Sequence, residues 1–276
     1  MQSNARHKRF DAFWKKVELK VHRHQAIKNN RFCIWFSRGE ANTAQVIHFL
    51  EQFAVFSKHF VPIQAKRVAR ATNLESEKLA RHILVNESGV RLGPDKTPEN
   101  QTFRTEWAHI EWLRQTAAPL KLDPERLGNW RTATPPTRRF LVELEKAYGS
   151  LNWLIATGAS YGIETWAAWG IGKGEEAESK NFWKQLIIGL KGYNETQRLL
   201  YGLEPIPLGF FEHHFELETG HGENVYGELL KSFSRPGFDE DKFIEGGRRA
   251  LDALYIFWEG LNSARKALTV RTRGVR

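Results

Sequence analysis

Residues 147–172, AYGSLNWLIATGASYGIETWAAWGIG, contain one charged side chain, Glu164, in twenty-six positions. A segment this apolar has to be buried, and a carboxylate inside it costs several kcal/mol unless it is paired, protonated or bound to a metal. Two structural explanations are available, solvent exposure of Glu164 or pairing with an Arg from a neighbouring helix. The functional alternative is that the acid is a ligand.

The rest of the chain has the period of an all-α protein. Apolar residues recur at helical spacing at Val46, Phe49, Leu50, Phe53 and Phe56, at Leu79, Ile83 and Leu84, and at Leu251, Leu254, Tyr255 and Trp258. Turn signals fall at 88–102, 128–137, 170–179, 202–209 and 235–239, so helices of about 15–30 residues lie between them. Without repeats, low-complexity tracts or linker composition, residues 1–276 read as a single helical domain, with a basic N-terminal segment (about 1–30) and a basic C-terminal tail (about 265–276).

Charge and cysteine content narrow the function. The net charge of +9 is concentrated at the ends, +6 over residues 1–30 and +5 over 265–276, leaving the middle slightly acidic. With no finger, RRM or KH pattern beside it, this distribution does not predict sequence-specific nucleic-acid binding. The single Cys33 excludes an internal disulfide scaffold. The basic start is not followed by an apolar export core, and no run of about 18 apolar residues spans a bilayer. A cytoplasmic protein without membrane attachment is expected.

A second cluster of ligand-type residues lies in IPLGFFEHHFELETGHGENVYGELL. His214, Glu218 and His221 are offset by four and seven, which places them within about 60° of one another on one helix face. Histidine with carboxylate favours iron, manganese or zinc. The spacing is not that of a zincin protease, and His213 and Glu216 fall on another face. The alternative is a polar helix face that happens to be rich in histidine. A third signal is TEWAHIEWL, where Glu106 and His109 have the Glu-x-x-His spacing of di-iron carboxylate bundles. Glu87 ends the preceding helical segment, whereas Glu75, Glu77 and His82 look like ordinary helix-surface residues.

In these segments the chain resembles the haem-oxygenase-like di-iron oxidase and oxygenase superfamily, whose fold is shared by thiaminase-II-like proteins and pyrroloquinoline-quinone synthase. The resemblance runs roughly from residue 36 to 232. It is carried by Glu87-Ser88-Gly89, an acid–x–Gly at a helix end; by His109 opening an amphipathic helix; by Glu164; and by His214-x3-Glu218-x2-His221. It implies a haem-oxygenase-like helical bundle with Glu87, His109, Glu164, His214, Glu218 and His221 as ligands to two iron ions. Glu164, His214, Glu218 and His221 would be at the reacting centre, with O2 as co-substrate. Two departures stand out. Glu218 replaces the family's usual Asp, and the long loop between Glu87 and His109 leaves Glu106 as the alternative first carboxylate.

The implied activity is oxidation of a small organic substrate by N-oxygenation or oxidative C–C cleavage, inside a wall formed by Trp107, Trp112, Tyr161, Trp166, Phe210 and Phe211. A homodimer and an electron donor are left open as partners. Two rivals are a metal-free relative in which the acids and histidines move protons, and a helical binding protein that engages an acidic partner or nucleic acid through its basic ends.

Overall fold

A computed structural model describes residues 2–91, 102–202 and 204–273 of the chain. Within residues 217–221 it describes the helical backbone but not the side chains. The long helices start where the sequence supplies caps. Asn42 and Gln45 form a reciprocal capping box at the head of α4 (Thr43–Arg70). Asn73 caps α5 (Leu74–Glu87), Thr134 caps α7 (Pro135–Tyr148), and Asn152 caps α8 (Trp153–Ala167). Around them run α1 (Gln2–Val17), the short α2 (Gln25–Lys28), α3 (Arg31–Phe36) and α6 (His109–Ala117). The remaining helices are α9 (Glu175–Glu178), α10 (Phe182–Tyr201), α11 (Gly209–Phe233) and α12 (Glu240–Arg273). The fold is all-α, as the periodicity predicts. Among the described residues the extended structure is a two-residue antiparallel ladder, Val90–Arg91 with Thr102–Phe103.

The apolar α8 is central. It packs against α12 through a nearly bare backbone seam. A Cβ at Gly158 would lie 1.9 Å from the Phe243 carbonyl oxygen, and one at Gly246 would lie 2.0 Å from that of Ile155. Only glycine permits this approach. Its other faces meet α7 and α11, so thirteen residues of α8, Glu164 included, are buried. The same core takes in Phe49, Phe53 and Phe56 of α4 and Leu251, Leu254 and Trp258 of α12. Each large side chain buried there contributes roughly 1.5–3 kcal/mol.

The basic ends belong to this body. Phe13, Val17 and Val21 are fully buried, so the N-terminal segment is an amphipathic layer with its cations outward. The expected C-terminal tail is instead the last turns of α12 as far as Arg273. Gln45 donates there to the Arg265 carbonyl at 2.8 Å. No described helix is long and apolar enough to cross a membrane.

Candidate functional site

Six helices, α4, α5, α6, α8, α10 and α11, converge on a cavity of about 60 Å³. Its walls are Phe53, Phe56, Phe60, Ile83, Ile163, Trp166, Trp183 and Phe210, and its polar groups are Ser57, Glu87, His109, Glu164 and His214. A space that size holds a few waters or a small polar group.

Glu87 closes α5. After it the chain turns through Gly89, at φ +96°, where a Cβ would lie 2.4 Å from the Arg104 carbonyl oxygen. The Arg104 amide donates to the Gly89 carbonyl, and the ladder between Val90 and Phe103 pinches the ends of the long loop together. This clamp brings His109, the first residue of α6, back onto Glu87: His109 Nδ1 lies 2.7 Å from Glu87 Oε2. The loop therefore keeps the acid–x–Gly glutamate in reach of the histidine.

Glu106 goes elsewhere. It sits in a 3-10 turn, Thr105–Trp107, and the backbone is extended at Ala108 before α6 begins. The Glu-x-x-His spacing is thus not helical here, and the two side chains do not share a face. Glu106 is exposed, 3.8 Å from Arg104 Nη1, and is not part of the cavity wall. Of the two alternatives for the first carboxylate, Glu87 is the one that stands beside His109, and Glu106 does not.

His214 approaches from α11. Its Nδ1 lies 2.7 Å from the Phe210 carbonyl oxygen one turn back; that oxygen can only accept, so Nδ1 donates and carries the proton of the neutral ring. Nε2 is then the lone-pair nitrogen, and it lies 3.2 Å from His109 Nδ1. The ring is held on three sides by Trp183, Phe210 and His109, with centroids at 4.5, 4.2 and 4.4 Å. Glu164 lines the same cavity and is 4% exposed, so the lone charge of α8 is a buried acid and the solvent-exposed alternative fails.

The side chains of Glu218 and His221 lie outside the described residues; their backbone continues α11 from His214. Among the described residues, no group of three or more His, Cys, Asp or Glu side chains is arranged as it stands to hold a metal ion. Glu87, His109, Glu164 and His214 are brought together, and Glu106 is not.

The aromatic wall is only partly as expected. Trp166 and Phe210 line the cavity. Phe211 belongs to the core beside Phe49 and Phe53. Trp112 packs on His213, Trp107 lies under Arg104, and the Tyr161 hydroxyl bonds His22 at 2.9 Å.

Sequence reasoning missed a buried ion pair between α4 and α11. Arg67 Nη2 donates to Glu228 Oε2 at 2.7 Å, with side chains 4% and 6% exposed. Tyr148 lies near this pair. Its hydroxyl pKa is pushed well up, first by burial and then by the charge of Glu164. The available signal was the stripe itself, because Glu228 lies seven residues beyond His221 on the same face of α11.

No protein-family model matches the sequence, and no curated protein matches it. Solved structures do. A CADD-like protein of unknown function from Nostoc punctiforme superposes with a TM-score of 0.64 at 14% identity, covering 94% of this chain and 99% of that one. A TenA homologue from Pseudomonas syringae pv. tomato superposes with a TM-score of 0.58 at 11% identity, covering 91% and 93%. At such identities the likeness is one of fold, and this chain has the haem-oxygenase-like helical fold that those proteins share.

Proposed function

We propose that the protein is a non-haem iron enzyme, an oxidase or oxygenase that uses O2 to oxidise a small organic substrate. The observation that carries this reading is the meeting of Glu87, His109 and His214 with the buried Glu164 around one aromatic-walled cavity. Donor atoms about 2.1 Å from one metal ion stand about 3.0–3.4 Å apart for tetrahedral or octahedral angles. The 3.2 Å spacing between His214 Nε2 and His109 Nδ1 falls in that range, and the 2.7 Å hydrogen-bond contact with Glu87 would open by a few tenths of an ångström.

Two histidines and two carboxylates also form the donor set that suits iron or manganese. Glu87, His109, Glu164 and His214 would hold the metal, with Glu218 and His221 completing a second position. Bound iron would supply the activation of O2. The protein's own contributions are separable from that chemistry. The bond from His214 to the Phe210 carbonyl presents Nε2 to the cavity. Phe53, Phe56, Trp166, Trp183 and Phe210 exclude bulk water, and the Ser57 hydroxyl adds a polar group to the wall. N-oxygenation and oxidative C–C cleavage are the reaction types that the family resemblance suggests.

The test is anaerobic reconstitution with Fe(II), metal analysis, and optical spectra on exposure to O2. Uptake of one to two irons per chain and a spectral change with O2 are expected. Failure to retain stoichiometric iron would sink the proposal.

One observation favours a second reading. The 2.7 Å contact between His109 and Glu87, continued to His214, is already an acid–base chain able to move protons without a metal. Turnover of a substrate by chelator-treated protein would support it.

A further inference from the structure

A larger cavity, of about 310 Å³, lies on the neighbouring stripe of α8 and shares no wall residue with the first. Tyr161 and Thr165 face it from α8 and Ala168 from the cap that ends that helix, Trp14 from α1, and Gly222, Glu223 and Tyr226 from α11. Trp169, Ile171 and Lys173 of the loop after α8 close one side. A π-helical turn, Glu18–His22, continues α1 at this point and supplies His22. Such turns are rare and are found mostly at functional sites. The wider turn, closed by the Arg23 amide donating to the Glu18 carbonyl at 3.1 Å, brings the His22 ring between Trp14, Tyr161 and Trp169.

The walls combine flat rings with the ammonium group of Lys173, and Lys28 lines the adjoining cavity across Trp169. Lys28 Nζ lies 3.7 Å and Lys173 Nζ 4.9 Å from the centre of the Trp169 ring. Lys28 is also close enough to Lys173, Arg23 and Lys180 for their charges to lower its pKa, behind the larger effect of its own burial. Of the nearby acids, Glu18 accepts from the Trp14 indole at 3.1 Å and Glu223 stands exposed on the rim. His22 adds no charge at neutral pH, since burial, then Lys173 and Lys28, push its pKa down to about 4. Cations crowded together against one indole gain from an anion that neutralises them, and the surrounding rings favour an aromatic body.

We propose that this cavity is a binding site for a planar aromatic anion, a molecule of one or two fused rings bearing a carboxylate, sulfonate or phosphate. The ring system lies among Trp14, Trp169 and Tyr226, and the acid group meets Lys173. The site is independent of the cavity around Glu164.

Calorimetric titration of the full chain with naphthalene-2-sulfonate, and with the neutral naphthalene-2-methanol, tests the assignment. One-to-one saturable binding of the sulfonate is expected, with the neutral compound weaker by about tenfold or more. Lys173 is exposed, so Lys173→Glu leaves the fold intact; it should weaken the sulfonate by at least about tenfold. Trp14→Leu should also weaken it, whereas Glu164→Gln should not change it. Absence of saturable binding, equal affinity for Lys173→Glu, or loss in Glu164→Gln alone would each overturn the proposal.

Discussion

The imidazole of His214 reaches that of His109 at 3.2 Å across 105 positions of the chain. Two helices that begin in unrelated loops therefore end with their lone-pair and N–H atoms facing each other, and Glu87 completes the contact from a third. Two buried imidazoles and the half-buried Glu87 form one chain, so each partner has a distinct experimental signature.

Glu87→Ala should lower iron affinity by about tenfold or more, the usual scale for losing a group on a metal-binding histidine. Glu106→Ala should leave it unchanged, because Glu106 stands at the surface beside Arg104. Titration of both variants with Fe(II) decides the matter, and the reverse order would restore the Glu-x-x-His pairing.

His221→Ala should abolish O2-dependent chemistry while the melting temperature moves by no more than about 2 °C, since the aromatic core holds the bundle elsewhere. Iron content and the optical response to O2 are measured beside wild type. A variant that binds iron and reacts normally removes His221 from the site.

Breaking the Arg67–Glu228 pair on one side should be costly. Arg67→Met leaves Glu228 as a buried acid without its cation, and a loss of about 3–5 kcal/mol is expected in urea unfolding. The double variant Arg67→Met/Glu228→Leu should recover most of that loss. Equal damage from the single and double changes would contradict the pairing.

The seam between α8 and α12 predicts opposite effects for one chemical change. Gly158→Ala forces a methyl onto the Phe243 carbonyl and should cost about 3 kcal/mol or more. Gly227→Ala in α11 meets nothing within 4 Å and should stabilise by up to about 1 kcal/mol. Thermal melts of the two variants should therefore shift in opposite directions.

His22 gives the stability a pH dependence of definite sign. Its pKa falls from an ordinary 6.5 to about 4 on folding. Between those values the unfolded chain binds the proton and the folded one does not, so the contribution is complete above pH 6.5 and is lost as pH falls through 4. The loss is at most about 3 kcal/mol. Unfolding curves for wild type and His22→Gln should converge toward low pH; parallel curves from pH 7 to 4 would refute it.

How much of this was legible follows from what periodicity records. The lone charge of α8 announced a buried acid because the other residues around it were apolar, and the capped helices and their breaks were readable for the same local reasons. His109 and Glu87 were recognisable as types, but their meeting depends on a two-residue ladder and a left-handed glycine turn, which closes a loop that has no periodic pattern. Glu106 misled because a spacing of three implies a shared face only if the intervening backbone is helical. Arg67 was invisible because it is embedded in AKRVAR, a basic run indistinguishable in sequence from a solvated face. His22 was hidden in the same way among the N-terminal cations.

The glycine seam of α8 has one more consequence. Because backbone meets backbone along Gly158 and Gly246, the height and rotation of α8 are set without help from the side chains on its opposite face. The acid-bearing face can then be rewritten without moving the rail on which it rides. For an engineer this divides the helix into a fixed edge and an editable one: substitutions at Ile163, Trp166 or Ala167 would reshape the cavity, whereas any side chain added at the seam would move Glu164 itself.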